Sequence, residues 1–146
     1  MNADHPALRP WNNAARKALP RGVLAWLGLL VSVYLASGFF VTEHLAARWV
    51  LGGFVVSHVI VFAGPALFKS FQLRAGTVSL LHVLCWTPGL ILVLGDLIGG
   101  VGGAYAVWAW ALALVTAIAF FFDIRDSAVL IKHLTRRNNQ SKTGLD

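Results

Sequence analysis

Charged side chains are scarce in this chain, 12% of 146 residues. Soluble domains carry about a quarter, so an ordinary water-soluble fold is excluded. Cysteine is nearly absent. The single Cys85 cannot close an internal disulfide, and inside an apolar run it reads as a small buried residue. The sequence also lacks a Gly-rich phosphate loop, paired Cys or His at metal-ligand spacing, and a nucleophile elbow. Its two halves show no repeat of the kind from which inverted-repeat transporters are built. No reaction can be assigned, and the expectation is a non-enzymatic protein with no metal and no cofactor.

Apolar length is what the chain has. It is 58% hydrophobic, with a mean hydropathy of +0.70. The apolar residues fall into four blocks, at about 22–41, 49–68, 75–97 and 104–122. Each is near the ~20 residues that a helix needs to cross ~30 Å of hydrocarbon. Long continuous runs suit helices, which satisfy their own backbone in lipid, better than barrel strands. The expected fold is therefore all-α, four transmembrane helices in an up-down bundle. That bundle forms one domain, 22–134, after a basic segment 1–21 and before a polar tail 135–146, of which Arg137–Asp146 is expected to be disordered.

The basic residues orient the bundle. Of twelve Lys and Arg, four precede the first span, two lie in the turn between spans two and three, and five follow span four. Arg48 alone falls on the other side. By the positive-inside rule both termini and the 69–74 turn face the cytoplasm. The net charge of +6 then reflects orientation and contact with anionic headgroups, with no call for nucleic acid. A signal peptide would also place basic residues before an apolar run. The first run, however, has the length of a full span and ends in Phe39 and Phe40, which favours a retained helix.

Along the chain, 12–19 reads as a short interfacial helix beside Trp11. Gly28, Ser32 and Ala36 in span one, and Ala109, Ala113 and Ala117 in span four, recur at the four-residue spacing that lets helices approach closely. His44 reads as solvated. Pro65 and Pro88 each remove a backbone donor and are expected to bend spans two and three. Gly95, Gly99 and Gly103 match G-x-x-x-G twice, but Gly100 and Gly102 intervene and favour a loop. Trp108 and Trp110 suit the outer interface. Span four is expected to continue as a helix to about 134, with Ile124, Ile131 and Leu134 against the headgroups. Its Phe122-Asp123-Ile124-Arg125-Asp126 ending resembles small bacterial membrane proteins, which implies a bacterial inner membrane and carries no function.

The polar groups inside the spans are few. Ser79, His82, Trp86, Gly89 and Asp96 share one face of span three, and Ser57 and His58 lie in span two. His58 is eleven residues from Lys69 and His82 eight from Arg74. These are depths of ~16 and ~12 Å, nearly level on neighbouring helices. Ionisable groups in hydrocarbon often mark function. The candidate intramembrane site is therefore His58, His82, Ser57, Ser79 and Asp96. Three uses compete: neutral histidines that hydrogen-bond the hairpin together, a proton or substrate path, and haem ligation. Packed neighbours at 8–10 Å are tight for a porphyrin, and spans one and four offer no histidine. Asp123, Arg125 and Asp126 form a candidate cytoplasmic interface, read as a solvated face with local ion pairs. The leading expectation is an accessory or assembly subunit that meets a membrane-protein partner or its own copies. The alternative is a small proton-coupled carrier using His58 and His82.

Overall fold

The computed structural model of the protein describes residues 5–10, 19–67 and 73–143. Four helices fill it: α1 Arg21–Leu35, α2 Leu45–Leu67, α3 Ala75–Ile98 and α4 Gly103–Thr143. Among the described residues there is no strand, only an antiparallel bridge between Pro10 and Arg74. Each helix, α1 with its 3₁₀ continuation Ala36–Phe39, is long and apolar enough to cross a membrane. The chain has the build of a multi-pass membrane protein. The expected interfacial helix at 12–19 and most of the 69–74 turn lie outside the described residues.

The helix ends follow from local chemistry. Pro20 precedes α1, where its missing N–H costs nothing. α3 ends in a Schellman motif. Gly100 takes φ +82°, its N–H reaches the Leu97 carbonyl at 3.2 Å, and the Val101 N–H reaches that of Asp96 at 3.3 Å. That left-handed position is one a glycine adopts without strain. The 99–102 stretch is the loop that its glycines indicate, and a Cβ at Gly95 would meet nothing within 4 Å. Pro88 lies within α3, and position 65 within α2.

α3 is the central helix, packed along α2 on one side and α4 on the other. Against α2 the backbones themselves touch. A Cβ at Gly53 would stand 2.1 Å from the Cys85 carbonyl oxygen, and one at Gly89 would stand 2.9 Å from the Val50 nitrogen. The partners run in opposite directions along the chain, so the two helices are antiparallel. α1 leans on α4. The Trp108 indole N–H donates to the Val33 carbonyl at 2.9 Å, and the Tyr34 and Thr116 hydroxyls meet at 2.9 Å. Tyr34 also stacks against Phe54 and Trp86, with centroids at 5.3 and 4.4 Å. One ring thereby joins all four helices.

Several expectations change at the end of the bundle where α3 meets α4. Trp108 is buried rather than interfacial, whereas Trp110 is exposed. His44 is not simply solvated: its ring lies flat on Tyr105 at 3.4 Å, beside Phe40. At the opposite end α4 runs on to Thr143, well past 134, and the stretch 137–143 expected to be disordered is helical. Beyond Asp123, the buried residues of α4 among those described are Ser127 and Leu130. Ile124, Ile131 and Leu134 point outward. The N-terminal turn Pro6–Leu8 packs on α3 and α4 at this end, with Ala7 and Leu8 buried. A Cβ at Gly76 would meet Leu130, Ala7 and Asp126 at 2.9–3.0 Å. The Ala75 N–H donates to the Arg9 carbonyl, satisfying one of the free donors at the start of α3.

The small-residue stripes are not where the helices meet most closely. Gly28 and Ser32 are exposed, and of the α4 alanines only Ala109 is fully buried. The close contact falls on Gly53 and Gly89, and the neighbouring Gly52 meets nothing. Gly53→Ala or Gly89→Ala must push two backbones apart, an overpacking cost of about 1–3 kcal/mol. Gly52→Ala should stay within about 0.5 kcal/mol of the parent. Denaturation by SDS in mixed micelles, followed by helical circular dichroism, checks the contrast between the adjacent glycines.

Candidate functional site

The site grows out of the α2–α3 contact. With the backbones touching at Gly53 and Gly89, side chains one turn further along face each other across the same seam. The Trp86 indole N–H donates to the Ser57 hydroxyl at 3.1 Å, and that hydroxyl donates to the Phe54 carbonyl at 2.9 Å. Both side chains are buried. The hydroxyl thus accepts once and donates once, as burial requires.

His58 and His82 come together, their ring centroids 6.1 Å apart and their planes 24° from parallel. His58 turns back onto its own helix, with Nδ1 2.8 Å from the Phe54 carbonyl and 3.4 Å from the Ser57 hydroxyl. A carbonyl only accepts, so Nδ1 carries the proton and Nε2 is left as the ring's basic nitrogen. His82 stacks on Trp86, centroids 4.2 Å apart. Its Nδ1 stands 3.2 Å from a carboxylate oxygen of Asp123 on α4. Both side chains are largely buried, at 20% and 16% exposure. A carboxylate accepts, so here too Nδ1 bears the proton, and the second nitrogen decides whether the pair is charged.

Asp123 is the residue whose place the sequence misassigned. It was expected on a solvated cytoplasmic face beside Arg125 and Asp126. Instead it faces inward and pairs with a histidine 41 positions earlier. Arg125 is exposed and Asp126 half-buried. Asp96, placed with the histidines by its helix face, lies at the far end of α3 and accepts from the Tyr105 hydroxyl. Ser79 is buried, but among the described residues it makes no hydrogen bond to either histidine. The structure therefore joins His58, His82, Ser57, Trp86 and Asp123, and separates Asp96 from them.

Trp86 is named in the sequence only as sharing the helix face of His82, and Asp123 only as part of a cytoplasmic interface, so neither is expected in this site. A signal existed for Asp123, since it follows an apolar run directly. It is 20 residues from Gly103, or ~30 Å along the helix, which is the hydrocarbon thickness. An acid at that edge can face either water or the bundle, and only the rotation of α4 decides which.

Chemically, the cluster can take up, hold and release a proton between α3 and α4. Among the described residues no group of three or more His, Cys, Asp or Glu could hold a metal ion. No family model matches the chain, nor does any curated protein or solved structure in the comparisons.

If His82 and Asp123 bind one another, their replacements will not add. A double-mutant cycle of His82→Ala and Asp123→Asn should show a coupling of about 0.5–1.5 kcal/mol, the range of polar contacts between membrane helices. Additive losses in micelle unfolding would show that the pair contributes nothing.

Proposed function

We propose that this is a small multi-pass protein of a bacterial inner membrane that works as a proton-coupled carrier. Its four spans form an up-down bundle with both termini and the 69–74 turn in the cytoplasm. The observation that carries the reading is the His82–Asp123 pair, which bridges α3 and α4 with His58 beside it. A coupled carrier needs a group whose protonation alters how its helices hold together. Protonating Asp123, or removing the extra proton from His82, abolishes the charge attraction across that seam. The edge position of Asp123 puts the pair nearest to one side of the membrane, and the positive-inside distribution favours the cytoplasm for that side.

Everted vesicles acidified by respiration and loaded with a pH-quenched acridine dye test this against a panel of small cations, amines and organic anions. At least one solute should restore fluorescence with the parent protein and fail to do so with Asp123→Asn or His82→Ala. A response that survives Asp123→Asn unchanged, or a silent panel, removes the reading.

One observation favours a second reading, an accessory subunit that acts through contact. Gly28 and Ser32, four apart on α1, lie exposed, and a Cβ at Gly28 would meet nothing of this chain. Such a strip admits a further helix closely, from a partner or another copy. Purification in mild detergent should then recover a companion protein or an oligomer that Gly28→Leu disperses. A stable monomer with nothing bound overturns it.

A further inference from the structure

α2 and α3 leave a groove of about 480 Å³ on their outer surface, which opens at Arg48 and ends at Val56 and Leu84, short of the histidines. Ligand sites commonly measure roughly 300–1,000 Å³. Arg48, Gly52 and Val56 form one wall, four residues apart on a single face of α2; Leu84 and Pro88 form the other, with Trp49 at the rim. The hollow exists because Gly52 has no side chain, and its floor is the backbone contact of Gly53 with Cys85. From Arg48 to Val56 is eight residues, so the groove runs ~12 Å along the helix axis. One hydrocarbon leaflet is half of ~30 Å.

The mouth differs chemically from the interior. Arg48 Nε donates to the Val41 carbonyl at 2.5 Å and Nη2 to that of Thr42 at 2.9 Å. Two carbonyls thus fix the guanidinium while it remains exposed. A guanidinium has about five N–H donors, so most of its donor fork is still free. Among the described residues it is the sole Lys or Arg at this end of the bundle. The acids there are Asp96, which accepts from the Tyr105 hydroxyl, and Glu43, exposed in the α1–α2 connection. A fixed cation sits where headgroups lie, an indole beside it suits the interface, and an apolar channel descends along the direction of an acyl chain.

We propose that this groove holds one phospholipid of the leaflet opposite the termini, its phosphate on Arg48 and one acyl chain along Gly52. The occupant is a lipid and not a second copy of the chain. A narrow slot capped by a cation fits a headgroup and its chain, whereas the helix of another copy would bring bulky apolar side chains against Arg48. The site is separate from the histidine cluster, so its failure leaves the carrier reading untouched.

Native mass spectrometry of the full-length protein in mild detergent, titrated with phosphatidylglycerol, tests the proposal. The parent chain should bind one lipid before all others. Gly52→Leu fills the hollow without touching the fold and should abolish that first binding event. Arg48→Gln should raise half-saturation about fivefold, the effect of one basic residue at an anionic headgroup, and Arg48→Lys should fall between. Val107→Leu, on the exposed face of α4, should bind as the parent does. If Gly52→Leu still takes up the first lipid with parental affinity, or a dimer that Gly52→Leu dissociates occupies the groove instead, the proposal is wrong. Val56→Trp blocks the slot independently and must give the same loss.

Discussion

Everything at the centre of this molecule depends on two helices touching without side chains between them. In lipid there is no hydrophobic drive to press α2 against α3, so association rests on close packing and on polar groups that find partners. Gly53 and Gly89 supply the first. Each occupies a place where a single methyl group would collide with the opposite backbone. The touching point fixes the register of the pair, and that register sets Ser57 against Trp86 and His58 beside His82. A slip of one residue on either helix would separate both pairs.

The polar partners then work seam by seam. Ser57 and Trp86 join α2 to α3, His82 and Asp123 join α3 to α4, and Tyr34 and Thr116 join α1 to α4. At the other end of α3, Asp96 and Tyr105 close the short connection to α4. Each contact meets the same demand, since a buried polar group without a partner is costly where no water can serve it. They differ in what they can do once made. A serine–indole bond has one state, whereas a histidine–carboxylate pair has several, and the second kind lies where α4 reaches the edge of the hydrocarbon.

Hydropathy reveals the four helices because spanning demands length and composition, and both are written directly in the residues. Their meeting of His58 with His82 was legible as well, since counting residues from a short turn gives depth. Rotation is what residue counting leaves out. Gly52 and Gly53 are indistinguishable in a sequence, yet one opens to a groove and the other is closed by a carbonyl. Asp96 shares a helix face with His82 but lies 14 residues along it, ~21 Å away at 1.5 Å each, and finds a tyrosine instead. Asp123 went unrecognised because the basic residues after it suggest water, while its own side faces α3. The end where Pro6–Leu8 packs is harder still. That turn meets α4 more than a hundred residues away in the chain, with α3 between them, and no local pattern announces it.

That inner packing sharpens what the His82–Asp123 pair can sense. α4 measures ~60 Å for its 41 residues, about twice the hydrocarbon thickness, so its second half stands in water or among headgroups. Left alone, such an extension would expose the pair directly. It is not left alone: one turn beyond Asp123, the backbone at Asp126 is pressed against Gly76 and Ala7, with Leu130 closing the same joint. The pair therefore sits between hydrocarbon on one side and a packed collar on the other. Two elements that look unrelated in the sequence, a short turn near the start of the chain and the helix that carries Asp123, meet in one joint at Gly76.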